Sequence, residues 1–359
     1  MGTTAILHIG SRKAGSTTLQ NDLFSWRHAL KDEGILIPEF EGRRINEDAT
    51  RAFFDENTND PKLEKVFSKV FRDIEKTQPK YVFLSSEYLY ENAYLAANVK
   101  RLLSEVCNEI RPVLMLREPA GYYLSWVQQW LKATDRLDDP ATWAANYRKN
   151  ISVWRSVFGD QLVIVPFEAR SFPKGLSECF LENFFEVDLG KVELAERKSS
   201  NVSEFREVTF LMQEYFRHCY PDQPREFRRE TRLIKKTLQE VAEAEGLGSR
   251  ADLLPKVQEI VLSNHRDDLF WLREVEGIEF SALDYSQLKA LGSTSLTQVG
   301  RYQRFQDIVG IDETRANLIL MKGMQQMSKR ISHLVSTKKR LTDKVSRLSG
   351  EQSREYLNG

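Results

Sequence analysis

A polar turn between an apolar run and a helix-like segment carries the residue types that hold phosphate or sulfate. The apolar run ends at Ile9, and residues 17–32 space their apolar side chains as a helix does. The polar residues in between are Lys13, Ser16, Thr17 and Thr18, with glycines at positions 10 and 15. The free N–H groups and dipole of a helix start attract anions, and a lysine adds a full charge. We therefore predict an anion site; the alternative is an ordinary strand–helix turn capped by Ser and Thr.

The order of these residues differs from that of a Walker A loop, in which the lysine follows the second glycine. Here Lys13 precedes Gly15, and the order K-x-G-[ST]-[ST] resembles the 5′-phosphosulfate loop of sulfotransferases. Those enzymes use 3′-phosphoadenosine 5′-phosphosulfate (PAPS) as the donor. The resemblance implies that Lys13 is both catalytic and cofactor-binding. The cofactor-binding loop that it implies consists of Arg12, Lys13, Ala14, Gly15, Ser16, Thr17 and Thr18.

A second group of residues follows the apolar run RPVLML, which ends just before Arg117. Glu118 and Pro119 begin a helix-like segment, and Ser125 lies eight residues after Arg117, about two turns along it. An arginine and a hydroxyl can hold one phosphate together. The spacing R-x7-S resembles the element with which sulfotransferases bind the 3′-phosphate of PAPS, and LREPAGYYLSWVQQWLK resembles the same region of bacterial carbohydrate sulfotransferases. The alternative is a surface arginine that pairs with Glu118.

Glu87 is the first candidate for a catalytic base, because it follows the strand-like run KYVFLS. Sulfuryl transfer needs a group that takes the proton of the acceptor, and sulfotransferases use His or Glu for this. The alternatives for Glu87 are a helix cap or a structural partner of Lys13 or Arg117. Glu39, after the run GILIP, is the second candidate. His8 lies inside the first predicted strand, so we expect a buried structural histidine there.

Two further features concern the type of sulfotransferase and its acceptor. The turn around Asn201 and Ser203 resembles a segment after the fifth strand in many bacterial sulfotransferases, although both residues are also typical of a helix cap. The chain has no Arg-Lys-Gly segment near its C-terminus, unlike cytosolic sulfotransferases. The resemblance is therefore to the bacterial type and implies a glycan or small-metabolite acceptor. Trp126 and Trp130 either line a cleft for a sugar or pack between helices.

Short apolar runs alternate with helix-like segments over the first half of the chain. The predicted strands are 4–9, 34–37, 80–85, 111–116 and 161–166. The predicted helices are 17–32, 60–77, 94–109, 119–133, 140–158 and 175–186. This alternation predicts an α/β fold of P-loop type, with a parallel sheet sandwiched by helices and a helical C-terminal extension. Ligands bind beyond the carboxyl ends of such strands, so the Lys13 turn, 85–91 and 117–125 should share one edge of the sheet.

After about residue 195 the sequence reads as helical, over 199–245 and 250–275, and a loop near 292–300 leads to a long final helix. We predict a sulfotransferase-like domain over 1–310 and a separate helix over 311–359. Within the domain, the sheet core is expected in 1–200 and a helical part in 201–310.

The composition of the chain limits the classes of protein to which it can belong. The 359 residues are 41% hydrophobic, which is typical of a globular protein. The 52 basic residues balance 52 acidic ones, so the overall charge gives no information about nucleic acid, and a nucleic-acid partner is not among those we expect. Three widely separated cysteines predict buried thiols rather than disulfides or a zinc site. We find no signal segment and no apolar window of membrane-spanning length, which predicts a cytoplasmic protein.

The final helix is both amphipathic and basic. Residues 322–348 contain eight Lys or Arg and one acid, Asp343. Its apolar positions follow steps of four and three, as in a coiled coil with one lysine in the seam: Leu320, Met324, Met327, Ile331, Leu334, Lys338, Leu341, Val345 and Leu348. Three interpretations remain: pairing with a second copy or a partner helix through 311–349, peripheral contact with an anionic membrane, or folding back on the core. Like charges would favour an antiparallel pair or an acidic partner.

Together these features predict a PAPS-dependent sulfotransferase that needs no metal and transfers a sulfuryl group to a hydroxyl or amine. A magnesium-dependent P-loop enzyme would usually place an aspartate after the strand KYVFLS, where this chain has Ser86. Two alternatives stay open: a magnesium-dependent kinase acting on nucleotides or small molecules, and a non-catalytic P-loop scaffold with a coiled-coil tail.

Overall fold

The computed structural model describes residues 2–40, 43–44, 61–196, 204–221, 223–291 and 300–357. The strands are β1 (Thr4–His8), β2 (Ile35–Leu36), β3 (Glu39–Phe40), β4 (Arg43–Arg44), β5 (Tyr81–Ser85), β6 (Glu109–Leu116) and β7 (Val163–Pro166). Five of them form one sheet in the order β2-β5-β1-β6-β7, and every neighbouring pair in it is parallel. Strands β3 and β4 form a short antiparallel pair.

Helices connect and follow these strands. The first eight are α1 (Ser16–Ser25), α2 (Arg27–Asp32), α3 (Pro61–Thr77), α4 (Tyr88–Glu91), α5 (Ala96–Leu103), α6 (Pro119–Trp130), α7 (Tyr147–Phe158) and α8 (Leu176–Phe185). The others are α9 (Arg206–Cys219), α10 (Arg229–Ala244), α11 (Pro255–Asn264), α12 (Arg266–Val275), α13 (Tyr285–Ala290), α14 (Phe305–Ile308) and α15 (Glu313–Leu357). Single 3₁₀ turns occupy Ala93–Leu95, Gly159–Gln161 and Ala169–Ser171.

The predicted fold class, an α/β fold with a parallel sheet flanked by helices and a C-terminal helix, is confirmed. The apolar runs form this sheet because both of its faces are covered, so most side chains of the three central strands β5, β1 and β6 are buried. On one face Ile6 and Phe83 pack with Leu19 of α1 and Phe180 of α8. All five predicted parallel strands are present, with bounds that differ from the prediction by one or two residues.

Several predicted helices are shorter than expected. The segment predicted as 140–158 becomes helical only at Tyr147, because Asn146 has a left-handed φ of 53°. The segment 199–245 contains two helices rather than a continuous one, since Pro221 and Pro224 lack the N–H group that a helix interior needs. The loop predicted near 292–300 lies almost entirely outside the described residues.

The chain divides into two compact units. The first comprises Met1–Trp126, Asp139–Val202 and Pro255–Arg301 and contains the five-stranded sheet. The second comprises Val127–Asp138, Ser203–Leu254 and Tyr302–Gly359. It has its own apolar core, in which α9, α10 and the start of α15 meet. The boundaries at 200 and 310 that the sequence predicts stay a prediction.

The cysteines are free thiols, as predicted, but they are not all buried. Cys107 and Cys179 are buried, whereas Cys219 is exposed at the last position of α9. Among the described residues, no helix combines the length and the apolar character that crossing a bilayer requires.

Candidate anion-binding site

The turn between β1 and α1 is anchored on the carboxyl end of strand β6. The N–H group of Ile9 donates to the carbonyl of Val113 at 2.9 Å, and that of Ser11 donates to the carbonyl of Met115 at 3.0 Å. The Ser11 hydroxyl donates to the same Met115 carbonyl at 3.2 Å. The turn therefore starts from a fixed backbone, which is a requirement for preorganised binding.

Two residues of the turn have left-handed backbone conformations. Lys13 has a φ of 67° and Gly15 a φ of 80°. A Cβ atom at Gly15 would come within 2.6 Å of both Leu176 and Phe167, so only glycine fits at that position. The K-x-G spacing of the sequence thus coincides with two tight backbone turns, and the second of them leads directly into α1.

The start of α1 has no side-chain cap. Gly15 is its N-cap residue, and the first turn contains no acidic side chain. Helix α6 differs, because Glu118 accepts hydrogen bonds from the N–H groups of Ala120, at 2.8 Å, and Gly121. The Glu118 carboxylate thus compensates the positive end of the α6 dipole. The first turn of α1 supplies no such carboxylate. Such a helix start stabilises a bound anion.

Arg117 lies against the same turn. Its Nη1 atom donates a hydrogen bond to the carbonyl of Lys13 at 3.2 Å, across 104 residues of sequence. The carbonyl of Arg117 accepts a hydrogen bond from the Tyr147 hydroxyl at 2.6 Å. Burial lowers the pKa of Arg117, and the nearby charge of Glu118 partly offsets this, so the guanidinium stays charged at neutral pH. The Glu118 side chain caps α6 as described above.

Ser125 lies on the same face of α6 as the Arg117 guanidinium. A Cβ atom at Gly121 would stand 3.0 Å from Nε of Arg117, so the guanidinium lies directly over this glycine. Ser125 follows Gly121 by four residues in the helix, and residues at that spacing share a face. The helix therefore places the arginine and the serine of the R-x7-S pair on one surface.

Glu87 is bonded to the turn. Its carboxylate accepts a hydrogen bond from the hydroxyl of Ser16, which is buried at the start of α1. Glu87 immediately precedes α4, yet its side chain does not cap that helix. The structure thus brings together the phosphate-type loop and two segments that follow other strands, those of Glu87 and Arg117.

The Arg12 side chain points to a carboxylate of the protein. Its Nε atom lies 3.0 Å from the Glu91 carboxylate, and its guanidinium lies 5.7 Å from the centre of the Trp126 ring. The phenol of Tyr122 is hydrogen-bonded to the backbone of Arg12. Of the other predicted loop residues, Ala14 is buried and Thr17 is exposed at the start of α1.

Two buried polar atoms near these strand ends have no hydrogen-bond partner within the described part of the chain. They are Nε2 of His8 and Oγ of Ser86. His8 is fully buried, as predicted, and its Nδ1 atom lies 2.8 Å from the Ser85 hydroxyl. Burial lowers the pKa of His8 to about 3, so its ring is neutral at pH 7. Its Nε2 atom lies beneath the turn, because a Cβ at Gly10 would come within 2.6 Å of it.

Other predicted residues are placed elsewhere or are not described. Glu39 accepts a hydrogen bond from Arg27 at 2.9 Å, and Arg27 begins α2, beyond the far end of α1. Asn201 and Ser203 lie outside the described residues. Across the described ranges, no group of three or more His, Cys, Asp or Glu side chains is arranged to hold a metal ion.

Sequence reasoning missed the residues that support Arg117 and the turn: Gly121, Tyr122 and Tyr147. Gly121 gives the guanidinium room, and the two tyrosines bond to backbone atoms of Arg12 and Arg117. The segment REPAGYY contains the first two of these residues, so its glycine was a usable signal. No local sequence signal indicated Tyr147, because it contacts Arg117 from another helix.

Comparison with known proteins adds little to this geometry. The chain matches none of the known family profiles. A search among curated proteins also gives no match. Among solved structures it is similar to a sulfotransferase from Alicyclobacillus acidocaldarius, with 13% sequence identity, a TM-score of 0.38, and coverage of 77% of this chain and 97% of that one. A score of this size reflects partial superposition, so function has to be argued from the residues of the site.

Proposed function

We propose that this protein is a PAPS-dependent sulfotransferase. The observation that carries the proposal is the hydrogen bond from Arg117 to the carbonyl of Lys13, because it brings two cations from separate strand ends to one turn. Glu87, bonded to Ser16, supplies a carboxylate at the same place. Two cationic subsites beside one carboxylate fit a donor with two separate anionic groups and an acceptor that must lose a proton.

The residues present fit this donor. Lys13 and the backbone N–H groups at the start of α1, where Gly15 as the N-cap residue offers no side chain, would hold the 5′-phosphosulfate, with Ser16 and Thr17 adding hydroxyl contacts. Arg117 and Ser125 would hold the 3′-phosphate from one face of α6. Gly15 allows the tight turn at a position where Leu176 and Phe167 leave no room for a side chain. The buried Nε2 of His8 lies beneath the turn and has no hydrogen-bond partner among the described residues.

The proposed mechanism divides the work among these residues. PAPS would supply the sulfuryl group, and 3′-phosphoadenosine 5′-phosphate would leave with its 5′-phosphate oxygen. Lys13 stabilises the charge that develops on the leaving oxygen while the S–O bond breaks, and the α1 amides do the same from fixed positions. Glu87 takes the proton from the acceptor hydroxyl or amine as the new bond to sulfur forms. Arg117 fixes the position of the nucleotide.

The acceptor proposed here is a glycan or a small metabolite, following the resemblance of the α6 sequence to bacterial carbohydrate sulfotransferases. Trp126 supports this assignment, since its ring lies near the Arg12 guanidinium. An aromatic ring beside charged groups is a common surface for binding a sugar ring.

A ligand screen tests the donor. Thermal unfolding of the full chain would be followed with PAPS, with the product 3′-phosphoadenosine 5′-phosphate (PAP), and with ATP and GTP. We expect stabilisation by the two 3′-phosphorylated ligands and turnover that survives EDTA. Stabilisation by ATP with activity abolished by EDTA would instead identify a kinase. No response to any of the four ligands would identify a non-catalytic scaffold.

Calorimetric titration with PAP and with adenosine 5′-phosphate tests the 3′-phosphate subsite. In the variant Arg117→Ala, the affinity for PAP should fall at least tenfold, whereas the affinity for adenosine 5′-phosphate should change little. The matched control is Arg111→Ala, on the same strand, where the arginine bonds to Glu109 at 3.0 Å instead of reaching the turn. Unchanged PAP binding by Arg117→Ala would contradict the assignment.

A further inference from the structure

Helix α15 carries two stripes of side chains, and only one of them packs against its own unit. Ala316 and Ile319 are fully buried with α9 and α10, and a Cβ atom at Gly323 would come within 2.6 Å of Leu238. Arg330 donates to Thr237 at 2.9 Å and to Glu240 at 2.7 Å. The helix thus folds back on the core of its unit up to residue 330, through this first stripe.

The second stripe is the predicted heptad seam, and it lies on a different side of the helix. Its positions follow those of the first stripe by one residue, which is a rotation of about 100°. Four of its large apolar side chains are mostly exposed: Ile331 at 61%, Leu334 at 66%, Leu341 at 55% and Val345 at 65%. Exposed apolar side chains that recur along one side of a helix mark a surface that another molecule covers.

The residue types in the seam specify a particular assembly. With Ile331, Lys338 and Val345 at the a positions of the heptad, the d positions are Leu334, Leu341 and Leu348. β-Branched residues at a combined with leucine at d favour two parallel strands, and a single lysine at an a position selects the dimer at some cost in stability.

The charges are compatible with that arrangement. Positions e and g, which face each other across a parallel pair, hold Val335, Thr337, Thr342 and Lys344 over the same stretch. The other cations, Lys339, Arg340 and Arg347, fall at positions b and c, away from the seam. The heptad register therefore confines the like-charge repulsion within the seam to Lys338, so net charge alone does not require an antiparallel pair.

We propose that the exposed seam of α15 pairs with the same seam in a second copy of this chain, as a parallel, in-register coiled coil over residues 331–348. This interface lies beyond the part of α15 that folds back, so both contacts form at once. The inference does not depend on the proposed sulfotransferase activity.

Sedimentation velocity of the full chain over a range of concentrations tests the dimer. We expect a monomer–dimer equilibrium that tightens with added salt, because the two Lys338 side chains repel each other. The double variant Leu334→Asp/Leu341→Asp should stay monomeric at every concentration. Its matched control is Ser332→Asp/Ser336→Asp, which adds the same charge outside the seam and should dimerise. A wild-type chain that is monomeric at 100 μM would overturn the proposal.

Disulfide crosslinking tests the parallel register. In a Cys219→Ser background, which removes the exposed native thiol, Lys338→Cys should form a covalent dimer with oxidised glutathione. The control Ser336→Cys, on the outer face, should crosslink at least tenfold less. Crosslinking by Ser336→Cys alone, or by neither variant in a chain shown to dimerise, would exclude this register.

The membrane alternative is decided by vesicle flotation. Vesicles of phosphatidylcholine with 30% phosphatidylserine would be mixed with wild type and with Leu334→Asp/Leu341→Asp. We expect no flotation of the wild-type dimer above the level seen with phosphatidylcholine alone. Flotation with anionic vesicles that the double variant loses, in a chain that stays monomeric, would assign the seam to a lipid surface and overturn the proposal.

Discussion

Lys13 combines a charge with an unfavourable backbone conformation. At a φ of 67° a side chain costs about 1 kcal/mol relative to glycine, because Cβ crowds the following carbonyl. Residues held in such conformations cluster at functional sites, where the surrounding structure enforces them. Substitutions at position 13 can separate the effect of the backbone strain on stability from the effect of the charge on turnover.

We expect Lys13→Ala and Lys13→Gly both to lower turnover at least about a hundredfold, because each removes the charge that stabilises the leaving group in the proposed mechanism. The two variants should differ in stability, since glycine relieves the strained φ and alanine does not. In urea unfolding, the free energy of unfolding of Lys13→Gly should exceed that of Lys13→Ala by about 1 kcal/mol. Turnover near the wild-type rate in both variants would exclude the catalytic role of Lys13.

His8 makes stability depend on pH. In the folded chain burial lowers its pKa to about 3, while an unfolded histidine titrates near 6.5. Between these values only the unfolded chain binds the proton, so the free energy of unfolding decreases as the pH falls below about 6.5. The slope from this residue approaches about 1.4 kcal/mol per pH unit, and its contribution is complete above pH 7.

Urea unfolding at pH 7, 6 and 5 checks this, with His8→Gln as the comparison. We expect the wild type to lose stability more steeply than the variant on acidification, because glutamine does not titrate. Carboxylates titrate in both proteins, so the difference between the two slopes isolates His8. Equal slopes would mean that the ring is protonated in the folded state.

At the scale of elements, the site depends on where β6 and α6 place Arg117 relative to the β1–α1 turn. The strand order puts β1 between β5 and β6, so the segments after all three strands meet at one edge. The first turn of α6 then passes beneath the guanidinium, and only a residue without Cβ leaves room there. The position of the Arg117 guanidinium therefore depends on the absence of a side chain at Gly121 in α6.

The variant Gly121→Ala tests that link. The added Cβ would meet a Glu118 carboxylate oxygen and stand 3.0 Å from Nε of Arg117, so the guanidinium must shift. We expect affinity for PAP to fall about tenfold, as a misplacement of this kind costs binding and rate. Gly310→Ala is the control, because its Cβ would meet only Leu254 at 3.9 Å. Calorimetric titration of both variants decides the question.

At the scale of the whole molecule, α15 serves two purposes along its length. Its first part completes the core of the second unit, where Ala316 and Ile319 are fully buried. Its later part presents the exposed seam. The two parts should therefore be separable by truncation.

We expect a chain that ends at Ser332 to keep its melting temperature within about 4 °C, because the buried contacts of α15 precede that point. Turnover should stay within about twofold of the full chain, and sedimentation should show a monomer. A chain that ends at Asp312 is the contrasting control, since it exposes the α9–α10 core and should unfold. Loss of folding in the longer truncation would mean that later residues also stabilise the unit.

The sequence alone determined the elements and most of the chemistry-bearing residues. Apolar runs and helical periodicity predicted the five parallel strands, because local burial patterns follow backbone geometry. The order of Lys13 and Gly15 predicted an anion-binding turn, and heptad spacing predicted the seam of α15. Failures arose from overlooked local signals: Pro221 and Pro224 divided one predicted helix, and Asn146 delayed another.

Only the tertiary structure decided which of those residues meet. The hydrogen bond from Arg117 to Lys13 spans 104 residues and that from Ser16 to Glu87 spans 71, and both depend on the strand order. Glu39 follows a neighbouring strand just as Glu87 does, yet it bonds to Arg27 instead. Periodicity also could not tell which stripe of α15 packs inward, because both are apolar. Spacing along a chain specifies which face of an element a residue occupies, but the packing of elements selects its neighbours.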